Sequence, residues 1–281
     1  MARFLISSVI AIIIAALAYL ARALNKSGAV AATLLGILIL GLGGPSWGVI
    51  LLSFFISASL LSNRFKKQKT KLNVYASKGS RRDAGQVLAN GAIAGFFVLL
   101  FSIIGQFLPD SPTLTGLWVG FAASFAGANA DTWATELGWL NRRDPVLLGS
   151  FKRVPKGTSG GVSLVGSLAS LAGSALVAGV AVLTQSIGWA PQISVPLGRI
   201  FLIITIGGLI GSLVDSALGA TLQVIYYCSQ CDQQTERSPR HSCGSETVYL
   251  RGVPWLNNDW VNFACTLSAG LVGMLLTFFF N

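Results

Sequence analysis

The stretch LWVGFAASFAGANADTWATELG, residues 117–138, opens as an apolar membrane segment and closes with Asn129, Asp131, Thr132, Thr135 and Glu136. A carboxylate at membrane depth is costly unless it faces a cavity, a partner or an ion, so each acid here is a candidate functional group. At 100° per residue, Asp131 and Glu136 fall near opposite edges of one polar arc, with Trp133, Leu137 and Leu140 beside it. The two acids do not stack on each other. They are spaced to flank a cavity that another helix shares, and Gly127, Ala128 and Ala130 let that helix come close. The plainer alternative is a helix end wetted by interfacial water, its acids paired to loop arginines.

The rest of the chain agrees that this is membrane. Of 281 residues, 53% are hydrophobic and 11% charged, with mean hydropathy +0.67, which excludes an ordinary globular surface. Apolar runs near 4–24, 28–44, 46–62, 84–108, 113–139, 158–186, 195–227 and 257–280 meet the roughly 20 residues that a bilayer crossing requires. The expectation is an all-α polytopic bundle of about eight helices in a single domain over 1–281, with a hydrophilic insert at 228–256. The first run lacks a small-residue cleavage site and reads as a retained helix.

Eighteen of the twenty Lys and Arg fall in the loops after the first, third, fifth and seventh runs, including Lys66 to Lys71 and Lys78. The positive-inside rule makes that face cytoplasmic, with both termini opposite if the count is eight. The plain reading of the net charge of +10 is this topology together with attraction to anionic lipid head groups. A nucleic-acid partner is not expected, because no aromatic-interleaved basic module accompanies the charges.

Further polar groups cluster on the same face. In GGLIGSLVDSALGATLQ, Asp215 lines up with Gly211 and Gly219 on a small-residue stripe, with Ser212 and Ser216 as alternative partners. RRDAGQVLANG carries Arg82, Asp83, Gln86 and Asn90, and NNDWVN carries Asn258, Asp259 and Asn262. Either group could begin as a helix cap, although Asn90 lies too deep for that role. In KRVPKGTSGGVS, Lys152, Arg153 and Lys156 precede Gly157, Thr158, Ser159, Gly160 and Gly161. Such a loop can turn cations and backbone N–H groups toward an anion, or be a plain turn; it is not a Walker A loop. Cys228, Cys231, His241 and Cys243 offer four soft ligands for a structural Zn²⁺. A disulfide is the poorer alternative in a reducing cytoplasm. Cys265, inside the last run, reads as packing.

Taken in order, RRDAGQVLANG, GANADTWATELG, VPKGTSGGVSLVGSLAS, GSLVDSALGATLQ, the Cys/His loop and LRGVPWLNNDWVNF resemble the phytyl-phosphate kinase family over nearly the whole chain. The resemblance implies phosphoryl transfer from a nucleoside triphosphate, CTP or another, to an isoprenyl monophosphate, giving the diphosphate. An acceptor that is already ionised needs metal, cations and in-line positioning more than a base. On that reading Asp131, Glu136 and Asp215 hold Mg²⁺. Arg82, Lys152, Arg153 and Lys156, with the Gly157–Gly161 backbone, neutralise the phosphoryl group. Gln86, Asn90, Asn129, Asn258, Asp259 and Asn262 orient phosphate or base. The rival is an ion-coupled lipid or small-molecule transporter or flippase, whose acids belong near the midplane. A CDP-alcohol phosphotransferase is disfavoured because the paired D-G-x-x-A-R pattern is missing.

Overall fold

The computed structural model describes residues 2–71, 81–193 and 195–280, and only the backbone of 2 and 66–71. The side chains of Lys66, Lys67, Lys69, Lys71 and Lys78 therefore lie outside the described residues. Eight α-helices dominate: α1 (Ala2–Leu20), α2 (Lys26–Leu38), α3 (Pro45–Lys71), α4 (Ala84–Phe107), α5 (Pro112–Gly138), α6 (Leu164–Ser186), α7 (Leu197–Thr221) and α8 (Asn258–Phe279). Among the described residues seven of them, all but α5 and with α2 taken through its continuation to Gly43, are long and apolar enough to cross a membrane. This is the polytopic bundle expected from the composition.

Helix α2 continues into a π-helical turn, Ile39–Gly43, and Gly44 then reverses the chain at φ +93° directly into Pro45. Proline suits this first position of α3 because the N–H it lacks would have no helical acceptor. Two expected runs are shorter than their apolar extent. Residues 158–163 form a loop and strand β2 (Gly161–Val162), paired antiparallel with β1 (Val146–Leu147), before α6 starts. Beyond α7 the chain enters β3 (Ile225–Cys228), which lies between β4 (Gln233–Thr235) and β5 (Val248–Arg251) in one antiparallel sheet. The hydrophilic insert thus begins its sheet at Ile225, three residues ahead of the expected boundary.

Helix α5 is the axis of the molecule. Every residue from Gly116 to Ala130 is buried, and α4, α6, α7 and α8 surround it. One wall is aromatic, with Trp47 of α3 4.5 Å from Phe121 and Phe54 5.6 Å from Phe125, ring centre to ring centre. The other is built from small residues. A Cβ on Gly211 of α7 would lie 2.7 Å from the Cys265 carbonyl of α8, so only glycine permits that crossing.

The connections α1–α2 and α3–α4 meet at one end, where the Asn25 N–H donates to the Arg82 carbonyl at 3.0 Å and the Arg82 N–H to the Ala23 carbonyl at 2.9 Å. The connections α5–α6 and α7–α8 meet likewise: the Ser159 hydroxyl donates to Gln223 Oε1 at 2.5 Å. These are the four basic connections.

Candidate active site

Asp131 of α5 and Asp215 of α7 bring their carboxyl groups within hydrogen-bonding reach of each other. Asp215 Oδ2 is buried without a hydrogen-bond partner. The pair lies seven residues before the end of α5 and six before the end of α7, about 10 Å inside the bundle. Cys265 of α8 sits close enough to feel both acids. Two carboxylates held this near each other repel unless a proton or a cation lies between them.

Glu136 does not join the pair, because five residues turn a helix by about 140°. It faces α3, where the Ser62 hydroxyl donates to its Oε1 at 2.8 Å, and its charge reaches Arg82. The Arg82 guanidinium rests over the Phe54 and Phe55 rings, 5.1 and 5.8 Å from their centres. Burial lowers its pKa to about 10, against the opposing pull of Glu136. Among the described residues no compact set of three or more acids forms. The expected trio of Asp131, Glu136 and Asp215 is an aspartate pair with Glu136 set off toward Arg82.

Another acid beside the pair is a residue that sequence reasoning missed. Glu236 follows β4 in the hydrophilic insert, and its charge reaches both Asp131 and Asp215. Gln223, only 1% exposed, holds it: Nε2 donates to Glu236 Oε1 at 2.9 Å while Oε1 accepts from Ser159. The glycine-rich loop is thereby tied to the acids. Gly160, at φ +79°, presses against α7 so closely that a Cβ there would meet the Ala220 nitrogen at 2.2 Å. Gln223 ends the stretch GSLVDSALGATLQ, but nothing in its local pattern marks it as a bridge.

Other expected site residues have partners of their own. Asn129 is fully buried; its amide donates to the Gly173 carbonyl and accepts from Ser57, both at 2.8 Å, so it joins α5 to α3 and α6. The Lys156 ammonium donates to the carbonyls of Trp139 at 3.3 Å and Asn141 at 2.6 Å, at the negative end of α5. Arg251 does the same for α7 through the carbonyls of Gly219 and Ala220, and burial lowers its pKa. Arg153 is exposed and lines an open groove with Arg142, Arg143 and Ser163. Thr158 donates to the Pro155 carbonyl, Gly157 sits at φ +89°, and the Gly161 N–H closes the turn onto Thr158.

Gln86 forms a capping box with Asp83 at the start of α4, and Asn90 donates to the Gln86 carbonyl one turn deeper. The cap of α8 is Asn257, whose side chain accepts from the N–H groups of Asp259 and Trp260. Asn258, Asn262 and Cys265 succeed one another along α8 at spacings that share one face.

Cys228, Cys231, His241 and Cys243 gather in the insert with all ligand atoms within 4.8 Å of one another. The sulfurs of Cys228 and Cys243 are 3.6 Å apart, and His241 Nδ1 is 3.3 Å from Cys243 Sγ. A tetrahedral zinc about 2.3 Å from each sulfur sets them roughly 3.8 Å apart. The cluster therefore fits a metal with four protein ligands. Gln233 approaches His241 Nε2 at 3.1 Å, as an outer partner that orients a ligating ring would.

The family described as integral membrane protein DUF92 matches residues 9–270. Protein PGR of Arabidopsis thaliana is 32% identical over 94% of this chain and 93% of its own length. Membrane protein MJ0933 of Methanocaldococcus jannaschii is 28% identical over 98% and 94%. Protein VTE6, chloroplastic, also of A. thaliana, is 27% identical over 92% of this chain and 66% of its own length. No solved structure matches the chain. These similarities bear out the family resemblance drawn from the motifs.

Proposed function

Since the chain belongs to the integral membrane protein family DUF92, we propose that it is a membrane lipid kinase, moving a phosphoryl group from a nucleoside triphosphate to an isoprenyl monophosphate. The observation that carries this reading is the half-buried Asp131–Asp215 pair beside the glycine-rich loop at the basic end of the bundle. Mg²⁺ is commonly held by one or two carboxylates and completed by substrate phosphates and water, and a facing aspartate pair with an orphaned oxygen suits that arrangement. Asp131 and Asp215 would hold the ion, which when bound would supply positive charge against the donor phosphates.

The chain's own groups then divide the remaining work. Glu236, anchored by Gln223, adds negative charge beside the aspartate pair from the insert side. Arg82, on the Glu136 flank, is the cation suited to the acceptor phosphate. Asn258 and Asn262, on the face of α8 that leads to Cys265, are candidates for the donor. The insert's Cys/His set is assigned a structural Zn²⁺, with no open coordination position for substrate. The Lys and Arg excess supports a cytoplasmic orientation for this end.

A depth of about 10 Å from the helix ends favours a site opened from one face, whereas an ion-coupled carrier keeps its acids near the midplane. The test is to incubate purified protein and Mg²⁺ with prenyl monophosphates and nucleoside triphosphates in all pairings. Prenyl diphosphate is the expected product. Lipid movement across vesicles with every nucleotide left intact would replace the kinase by the carrier.

A further inference from the structure

Helices α1, α2, α3 and α4 enclose a cavity of about 220 Å³ that the acid cluster does not use. Its walls are almost wholly apolar, with Ile14, Ala15, Leu52, Phe54 and Val87 among them. Its polar lining is Arg82, Gln86 and Asn90, and all three belong to the start of α4 or the residues just ahead of it. The lining residues run from Ala18 to Ile10 on α1 and from Phe55 to Pro45 on α3, so the space extends roughly 12–15 Å along the helices away from Arg82. It is an elongated apolar slot with one cation at its head.

The slot has a side wall suited to lateral access. Helix α1 packs chiefly against α2 and the π-helical turn, and its outer face exposes Leu5, Ile6, Val9 and Leu17. It shares little direct packing with α3, although both line the cavity. A chain dissolved in the bilayer reaches the slot between them without crossing water.

The head is chemically specific. The Arg82 guanidinium is held over Phe54 and Phe55, two of the lining rings, and among the described residues it donates no hydrogen bond to a protein acceptor. A desolvated guanidinium with unused donors recognises an oxyanion far better than a neutral hydroxyl. A space of about 220 Å³ has little room for a second chain.

We propose that this slot holds the apolar tail of a single-chain isoprenyl monophosphate, with its phosphate on Arg82 and the Gln86 and Asn90 amides at the mouth. The inference rests on the kinase reading for the identity of the lipid. It adds where the tail lies, and that α1 to α4 set the chain length accepted. Arg82 lines the slot and its charge meets that of Glu136, which puts the acceptor phosphate on the Glu136 side of α5.

The test uses the full-length protein in detergent without nucleotide, and a prenyl monophosphate bearing a diazirine near the end of its chain. After irradiation, label mapped by mass spectrometry is expected on the deep wall, at Ala11, Ile14 or Leu40, and to be competed by unlabelled prenyl monophosphate. Leu52→Phe and Ala15→Phe, each checked for unaltered melting and monodispersity, should lower labelling about tenfold, since they take up volume the tail would occupy. Arg82→Gln should raise the half-saturating concentration of the phosphate probe by about tenfold and leave that of a prenol probe unchanged. Label confined to the outer helix faces overturns the proposal. So does equal labelling by the prenol, or by a two-chain phosphatidic acid probe. Deep-wall label without diphosphate formation would sink the kinase reading and keep the slot; diphosphate formation with label elsewhere would do the reverse.

Discussion

Asp131 and Asp215 face each other across the α5–α7 contact, and the orphaned Oδ2 belongs to Asp215. If both hold one ion, removing either charge removes the ion while keeping the shape. Asp131→Asn and Asp215→Asn should each lower kcat by about a hundredfold or more, with the melting temperature unchanged or higher because a buried repulsion is relieved. Prenyl-phosphate-dependent nucleotide turnover, followed across a Mg²⁺ titration, is the measurement. Turnover within a few-fold of native in both variants would exclude the pair from the chemistry.

Gln223 links the glycine-rich loop to Glu236, and neither of its hydrogen bonds can be replaced by water at 1% exposure. Gln223→Ala should cost roughly 1–3 kcal/mol of stability, the penalty for stranding buried polar groups. Glu236→Gln should lower kcat while the fold persists. In a double-mutant cycle the two changes should prove non-additive, since they act on one chain of contacts.

The Cys/His cluster sits on the same sheet that carries Glu236. Cys231→Ser should lose bound zinc, measured by metal analysis of reduced protein, and shift unfolding to lower temperature. Surviving folded protein should retain turnover, since the metal contributes shape and not reactivity. Reduced, intact native protein devoid of zinc would remove the assignment.

Lys156 separates two roles by what it touches. Its ammonium serves the carbonyls at the end of α5, so Lys156→Met should cost about 1 kcal/mol of stability and leave kcat within a few-fold of native. A hundredfold loss of kcat in a variant that melts normally would instead put the ammonium on a phosphate.

Helix number and the membrane class were legible because apolar length is a local property. Asp131 and Asp215 could be singled out from their cost, but their mutual approach could not, because it depends on how far α7 slides along α5. That register is set by contacts such as Gly211 on Cys265. The separation of Glu136 from Asp131 was legible from helical spacing, but its partners on the far edge, Ser62 and Arg82, were not. Glu236 stayed hidden for a related reason: it sits in a polar insert, where an acid is unremarkable until the sheet folds back over the bundle. The four Cys and His were legible by residue type alone. The cap of α8 that Asn258 or Asp259 could equally have formed is made by Asn257, a neighbour that pattern alone does not single out.

The enclosure of α5 constrains the order in which the molecule is built. A lone aspartate at the middle of a helix disfavours insertion by about 2.5–3.5 kcal/mol, and α5 carries Asp131, Glu136 and Asn129 together. As it leaves the ribosome α3 can already offer Ser57 to Asn129 and Ser62 to Glu136, but Asp215 of α7, which meets Asp131, and the Gly173 carbonyl of α6, which accepts from Asn129, are still to be synthesised. The helix at the centre of the finished protein is therefore the last to be secured. In a chain truncated after Gly138 and fused to a glycosylation reporter, α5 should fail to span in a large fraction of molecules, and restoring α6 to α8 should recover it. Efficient spanning by the truncated chain would refute this order of assembly.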